Sequence, residues 1–316
     1  MTEMSNTGAV RLVEIDAGSD GQRIDNFLLR ELKGVPKSRI YNLLRRGEVR
    51  VNKGRVKAEQ RLHTGDVVRI PPIRVAVEAA VPGVSTALSD RLDDAILFED
   101  EGLLVVDKPA GLAVHGGSGV SLGLIEALRA MRPQARFLEL VHRLDRDTSG
   151  CIMVAKKRSA LLTLHSALRG DGVDKRYLAL AVGAWPQQRT RVEAPLEKNT
   201  LRSGERVVRV STGGKSAVTE FKVLESFPIV TLLEAAPITG RTHQIRVHAQ
   251  YAGHPLAGDD KYGDNATNTR FRELGLKRLF LHAHTLAFEW QGRRLQLQAK
   301  LHPELESFLN TLRNTL

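Results

Sequence analysis

The chain has 316 residues, 42% of them hydrophobic, a formal net charge of +11 and a single cysteine. That much apolar content supports a folded core and excludes a disordered chain, while one Cys excludes a disulfide framework and any Cys-based zinc or iron–sulfur site. The basic excess favours a polyanionic partner, and no run approaches the roughly 18–20 apolar residues of a membrane-spanning helix.

The N-terminal stretch has no basic region followed by an apolar one, so it is not a secretory signal, and a cytoplasmic protein is expected. Residues 1–19 read as a flexible tail. The charge then concentrates: residues 22–72 hold thirteen Lys/Arg against five acids, a net +8. Ile24, Phe27, Leu28 and Leu32 follow helical spacing after the turn residues Ser19, Asp20 and Gly21. Gly34 ends that helix, and Pro36 suits the first turn of a second. Ile40, Leu43 and Leu44 form the apolar stripe of the second helix, and Gly47 stops it. Arg39, Asn42 and Arg46 share its polar face, with Lys37, Ser38, Tyr41 and Arg45 beside it. Val49 and Val51, a turn at Asn52-Lys53-Gly54, and Val56 read as a hairpin. Gly65-Asp66 turns the chain into a last strand of Val67, Val68 and Ile70. A basic face on a compact, turn-rich unit is suited to RNA phosphates.

This stretch resembles an S4-type RNA-binding domain in its IDNFL, SRIYNLLRRGEVRVN and GDVVRI blocks. The resemblance places the domain over residues 20–75, with structured RNA on the helix pair, and assigns RNA contacts to Lys37, Arg39, Arg45, Arg46 and Lys53. Residues 76–90 have weak periodicity and read as a linker.

Residues 91–316 read as one domain. Ile96-Leu97-Phe98, Leu103 to Val106, Cys151 to Val154, Tyr177 to Val182 and Val230 to Leu233 are strands. Ser121 to Met131 is a helix stopped before Pro133, and Ser159 caps another bearing Leu161, Leu164 and Leu168. Strands are grouped rather than alternating with helices, which predicts an α+β fold with a mainly antiparallel mixed sheet.

Three blocks place polar residues where apolar strands end. In LVHRLDRDTSGCIMVAKK, from Leu140, an apolar strand end gives way to His142, Arg143, Asp145, Arg146 and Asp147. A carboxylate there is rigidly held, with arginines nearby to keep it ionised. The same pattern also fits a structural Asp that pairs with Arg and caps a turn. In KRYLALAV, Leu178, Leu180 and Val182 alternate with Tyr177, Ala179 and Ala181. The first set belongs to a core; the second leaves room over small residues for a planar partner, unless Tyr177 is an ordinary buried tyrosine. In PITGRTHQIRVHAQYAGHPLAGDDKYG, Thr239 or Thr242 can cap a helix whose start gathers Arg241, His243 and Arg246. That is either an anion site or a basic surface helix.

Other chemistries fit poorly. Gly213-Gly214-Lys215-Ser216 lacks the first glycine of a P-loop, because Arg209 stands in its place. His282/His284 and His243/His248 have no carboxylate or Cys pair at ligand spacing, so no metal is expected. Cys151 enters an apolar strand and reads as a small buried residue. Asp145 and Asp147 are too close in sequence to be a glycosidase pair.

Together the three blocks resemble the pseudouridine synthases of the bacterial ribosomal A/C/D type. HRLDRDTSG decides the matter, and DKPAGLAVHGG, KRYLALAV, GRTHQIRVH, HPLAGDDKYG and LFLHAHTL follow in the family's order. The resemblance implies isomerisation of uridine to pseudouridine in 23S ribosomal RNA, at three sites, by chemistry that needs no cofactor. It makes Asp145 the catalytic carboxylate and Arg246 its cation, with Arg241 as second candidate. It makes Tyr177 the stacking partner of the uracil, Leu281 an apolar wall, and Arg143 the filler of the stack that a flipped base vacates. A monomer acting on 23S rRNA or an assembling large subunit, without a membrane, is expected. The competing reading is a non-catalytic, ribosome-associated S4 protein with Asp145 structural.

Overall fold

The computed structural model describes residues 6–7, 10–32, 35, 37–74, 84–116, 122–170, 172–200 and 206–315. The chain divides into two compact units, residues 1–83 with 157–159, and residues 84–156 with 160–316. Gly34, Pro36, Ser121 and most of the expected linker lie outside the described residues.

The first unit contains β1 (Asn6–Thr7), β2 (Arg11–Glu14), α1 (Ile24–Glu31), α2 (Lys37–Arg46), β3 (Arg50–Val51), β4 (Gly54–Arg55), β5 (Val67–Ile70) and β6 (Ile73–Arg74). Its four-stranded sheet has the order β2-β5-β3-β4, and β1 pairs with β6. The helical stripes do what their spacing predicts. Ile24, Phe27, Leu28, Ile40, Leu43 and Leu44 bury against Val49, Leu62, Val68 and Ile70, each such side chain contributing about 1.5–3 kcal/mol. Buried Asp25 ties the helices together by accepting from Arg23 (2.7 Å) and from the Tyr41 hydroxyl (3.0 Å). Arg23, ahead of burial and Tyr41 among the causes, holds the Asp25 carboxyl below its usual range. The hairpin turn is Asn52-Lys53, both at positive φ (48° and 68°), as a two-residue I′ turn requires. One expectation needs correction. Residues 11–14 are not a tail: β2 pairs antiparallel with β5 along its whole length. Val13 packs on the core and Ile15 is buried, so apolar burial and four paired residues outweigh the polar composition of the stretch.

The second unit contains α3 (Thr86–Asp94), β7 (Ile96–Glu99), β8 (Leu103–Lys108), α4 (Leu124–Met131), β9 (Glu139–Leu140), β10 (Ser149–Ala155), α5 (Arg158–Arg169), β11 (Val173–Val182), β12 (Arg191–Glu193), β13 (Leu196–Thr200), β14 (Arg206–Val210), β15 (Val218–Ser226), β16 (Val230–Pro237), α6 (Gln244–Tyr251), α7 (Asn265–Glu273), β17 (Leu281–Trp290), β18 (Arg293–Gln298) and α8 (Pro303–Thr315). Its large sheet runs β12-β15-β16-β11-β17-β10-β8-β7, with β18 on β17 and β9 on β10. Among the described residues only the β10–β17 pairing in that sheet is parallel, so the fold is α+β with a mainly antiparallel mixed sheet.

The unbroken apolar runs of β8 and β10 reflect burial on both faces. Leu104, Val106, Ile152 and Val154 pack under α4. Leu103, Val105, Cys151 and Met153 pack with Leu164 of α5 and with Leu286 and Phe288 of β17 on the other face. Three local expectations shift. Residues 86–90, assigned to the linker, begin α3, whose N-cap Ser85 accepts from the Leu88 amide. Helix α4 starts at Leu124, where the Glu126 carboxylate accepts from the amides of Gly116 and Gly123. Ser159 lies inside the first turn of α5 rather than capping it.

Gly150 is where β10 meets β17, at φ +108°, and a Cβ there would collide with the Ala283 backbone. Gly150→Ala is therefore expected to destabilise the protein by about 3 kcal/mol or more, combining left-handed strain with a steric clash. Thermal unfolding checks this, and an unchanged Tm would refute it.

Candidate active site

The loop between β9 and β10, the ends of α5, β11, β16 and β17 and the start of α6 surround a cleft of about 810 Å³. Asp145, Arg143, Tyr177, Arg241, Arg246 and Leu281 all line it. Residues drawn from four separate stretches of sequence thus meet in one place. Among the described residues Asp145 is the only acid on the cleft wall, which also carries Arg143, Arg169, Lys175, Arg241 and Arg246.

Asp145 sits on the loop between β9 and β10, pinned from both sides through its backbone. The Lys108 ammonium donates to the carbonyls of Arg146 (3.0 Å), Pro109 (2.9 Å) and Leu112 (2.8 Å). The Gly111 amide also donates to the Arg146 carbonyl (2.9 Å). Arg278 donates to the Asp147 carbonyl and to Ser149 Oγ. Burial pulls the fully enclosed Lys108 ammonium down to about 7, while three carbonyl acceptors and nearby Asp147 and Asp145 favour its charged form. The DKPAG segment thereby serves as a clamp on the loop, a role its sequence does not announce.

The cations that approach Asp145 are not its sequence neighbours. Arg146 pairs with Asp147 (3.2 Å), and Arg143 is exposed. Instead Arg246 Nη1 lies 3.4 Å from Asp145 Oδ2, and His243 Nε2 lies 3.7 Å from Asp145 Oδ1. Arg246 is aimed by a buried partner that sequence reasoning missed. Asp259, fully enclosed, accepts from Arg246 Nε (2.8 Å) and Nη2 (2.7 Å) in a bidentate pair. Its carboxylate also accepts from the amides of Lys261 and Tyr262. Burial acts against the Arg246 charge, but Asp259 and then Asp145 outweigh it, leaving the guanidinium above its usual value. The guanidinium also stacks 5.0 Å over the Tyr262 ring.

His243 takes the left-handed conformation, φ 53°, an uncommon backbone for a residue with a side chain. Neither Thr239 nor Thr242 caps α6: His243 is its N-cap residue, and its side chain makes no capping bond to the helix. Thr239 Oγ1 donates instead to Gln244 Oε1, which also accepts from the Arg241 amide. The Tyr262 hydroxyl accepts from the Val208 amide (2.9 Å) and lies 2.7 Å from His243 Nδ1. A satisfied network has Tyr262 donating to Nδ1, which leaves Nε2–H directed at Asp145. Burial lowers the His243 imidazole, against the raising effect of Asp145. Arg241 Nε donates to the Ser216 carbonyl (3.1 Å), so its guanidinium belongs to the rim and not to Asp145.

Tyr177 lies at the open end of its face of β11. The small residues that follow are not free: Ala179 and Ala181 are buried against Leu233, Ile245 and Leu256. Of these three residues Tyr177 lines the cleft, with Leu281 as a nearly enclosed apolar wall. Burial, and secondarily the Asp145 charge, raise the Tyr177 phenol above its usual value.

On the opposite face of β17 from Leu281, the fold brings a carboxylate to His282 after all. Ligand atoms of Asp107, His282 and His302 lie within 4.8 Å of one another. Hydrogen bonding accounts for the group. His302 Nε2 lies 3.0 Å from Asp107 Oδ1, while His282 Nδ1 and Nε2 meet Ser149 Oγ (2.9 Å) and the Ala299 carbonyl (3.3 Å). His284 Nδ1 meets the same carbonyl, and His248 meets Thr219 Oγ1 and the Ala194 carbonyl. Cys151 is buried, its thiol pushed up by burial to about 12, consistent with a packing residue.

Burial lowers both His142 and His282 to about 4, from 6.5. Above pH 6.5 both states of the protein hold these rings neutral. As pH falls from 6.5 toward 4, the unfolded chain binds protons the folded one refuses, so stability is lost, by up to about 3 kcal/mol per ring. Tm is expected to fall steadily across that window, and a flat Tm would refute the reading.

In the first unit Arg39, Arg45, Arg46 and Lys53 are exposed, Arg46 lying 3.6 Å from Glu48. The Lys37 side chain lies outside the described residues. Among the described residues no helix is long and apolar enough to cross a membrane.

Comparison with known proteins identifies the family. The family profile described as RNA pseudouridylate synthase matches residues 102–251, and the S4 domain profile matches residues 22–68. Ribosomal large subunit pseudouridine synthase C of Pasteurella multocida (strain Pm70) is 57% identical, over 96% of this chain and 94% of its own length. The protein of the same name from Escherichia coli (strain K12) is 56% identical, over 98% and 99%. Among solved structures, human RNA pseudouridylate synthase domain containing 4 is similar with a TM-score of 0.61 and 30% identity, covering 72% of this chain and 96% of that one.

Proposed function

Because the chain belongs to the RNA pseudouridylate synthase family, we propose that it isomerises uridines of 23S ribosomal RNA to pseudouridine with Asp145 as the reactive carboxylate. The observation that carries this reading is Asp145, the single carboxylate among the described residues of a cation-lined cleft, on a clamped loop with Arg246 at 3.4 Å. The reaction balances within one nucleotide. The N1–C1′ bond breaks, the uracil turns, C5 bonds to C1′, C5 loses a proton and N1 gains one. A carboxylate can enter by attack on C1′, by removing the C2′ proton or by attack on C6, and each route needs it ionised and aimed. The Arg246–Asp259 pair supplies the aim.

Tyr177 and Leu281 form the wall against which the uracil lies. Flipping that base out of structured RNA costs a few kcal/mol. Arg143, long, planar and exposed, fills the stack left behind, while Arg241 on the rim meets the backbone. Lys37, Arg39, Arg45, Arg46 and Lys53 of the S4 domain hold the ribosomal RNA by phosphate contacts. The protein acts as a monomer in the cytoplasm, on 23S rRNA or an assembling subunit. The reading of a non-catalytic S4 protein is not favoured, since relatives more than half identical over nearly their whole length carry synthase names.

The test is tritium release. Incubation of the purified protein with large-subunit rRNA transcript labelled with 5-tritiated uridine is expected to release tritium as C5 loses its hydrogen. Tight binding without release would leave only the binding function.

A further inference from the structure

We propose that Lys175 binds a backbone phosphate of the RNA beside the target uridine, a role that rests on the RNA substrate proposed above. Lys175 stands two residues before Tyr177 on β11, and both side chains line the cleft. At the rise of a strand their backbones are roughly 7 Å apart, so one nucleotide can reach both. Among the described residues the Lys175 ammonium has no hydrogen-bond or ion-pair partner. Its sequence neighbour Asp174 is engaged by Arg176 at 2.7 Å. The adjacent imidazole offers no negative charge: His142 Nε2 accepts from the Met153 amide (3.1 Å), and the ring stays neutral at pH 7.

A half-buried ammonium without an anion is costly to hold. Burial lowers Lys175 below the usual lysine range, against the weaker raising effect of Asp174. Fully buried cations are normally paired, and the one acid described on the cleft wall, Asp145, is approached by Arg246 and His243. An anionic group on the substrate would complete this site. In RNA every nucleotide supplies one, and lysine meets phosphate as a compact point charge.

The experiment compares the intact protein with Lys175→Met and Lys175→Arg, by RNA binding and steady-state tritium release from about 50 to 200 mM salt. Lys175→Met is expected to raise KM for RNA roughly tenfold, with kcat within about twofold. The slope of log affinity against log salt should become shallower by about 0.7, the loss of one phosphate contact in single-stranded RNA. The Arg variant should retain most of the affinity. In the RNA-free protein, Lys175→Met should unfold at an equal or higher temperature, because it removes an unpaired charge. An unchanged salt slope overturns the proposal. So does a fall in kcat at constant KM, or a lowered Tm, either of which makes Lys175 a support for Tyr177. Absence of turnover by the unsubstituted protein would instead overturn the function itself, so the two failures are distinguishable.

Discussion

Asp145→Asn is expected to yield a folded protein that binds ribosomal RNA and makes no detectable pseudouridine, a loss of at least about 10⁴-fold in kcat. Folding should survive because the loop is held by its backbone: Lys108 and Gly111 bind the Arg146 carbonyl, and Thr148 donates its amide to the Asp145 carbonyl. None of these bonds uses the Asp145 side chain. Arg246 would not be stranded either, since Asp259 still pairs with it on two nitrogens. What disappears is the one negative charge described on the cleft wall, and an amide is a poor nucleophile and a poor base at neutral pH. Affinity for RNA should stay level or rise slightly, because a carboxylate facing RNA repels phosphate. Tritium release and direct quantification of pseudouridine check the result. Turnover within about tenfold of the unsubstituted enzyme would remove Asp145 from the reaction.

The second large effect is expected at a residue that need not touch the substrate. Asp259→Asn keeps the shape of the side chain but takes away the charge that holds Arg246. Removing one partner of a buried pair costs about 3–5 kcal/mol, because the other charge is left without compensation. In a unit of this size that corresponds to a fall in Tm of roughly 6–15 °C. With its anchor weakened, Arg246 is free to swing fully onto Asp145 or away from it. A fall in kcat of about 10²-fold is expected, with KM for RNA changed much less. Asp259 is thus a positioning residue, and a double variant separates that role from plain structural support. Adding Arg246→Gln to Asp259→Asn removes the stranded charge and should recover part of the lost Tm, while activity falls further. Unaltered kcat in a folded Asp259→Asn protein would show that Arg246 holds its aim without help.

The amino-acid sequence by itself determined the local pieces of this protein. Apolar spacing located the two helices of the S4 unit, positive-φ turn residues located its hairpin, and unbroken apolar runs located the doubly covered strands β8 and β10. These are short-range properties, set by the period of a helix or strand and by the backbone each residue tolerates. The motif resemblance then carried Asp145, Tyr177, Arg246 and Leu281 to the cleft they share. The tertiary structure alone decided how they meet. Arg246 lies 101 residues beyond Asp145, so no spacing rule links them, and of the adjacent arginines Arg146 pairs with Asp147 while Arg143 is exposed. Asp259 behind Arg246, the His243–Tyr262 link and the Lys108 clamp were equally unreadable, because each depends on where the chain returns after a turn of the sheet. Pairing across such distances is settled by the burial of whole strands and helices, and the charges then take the partners that burial leaves within reach.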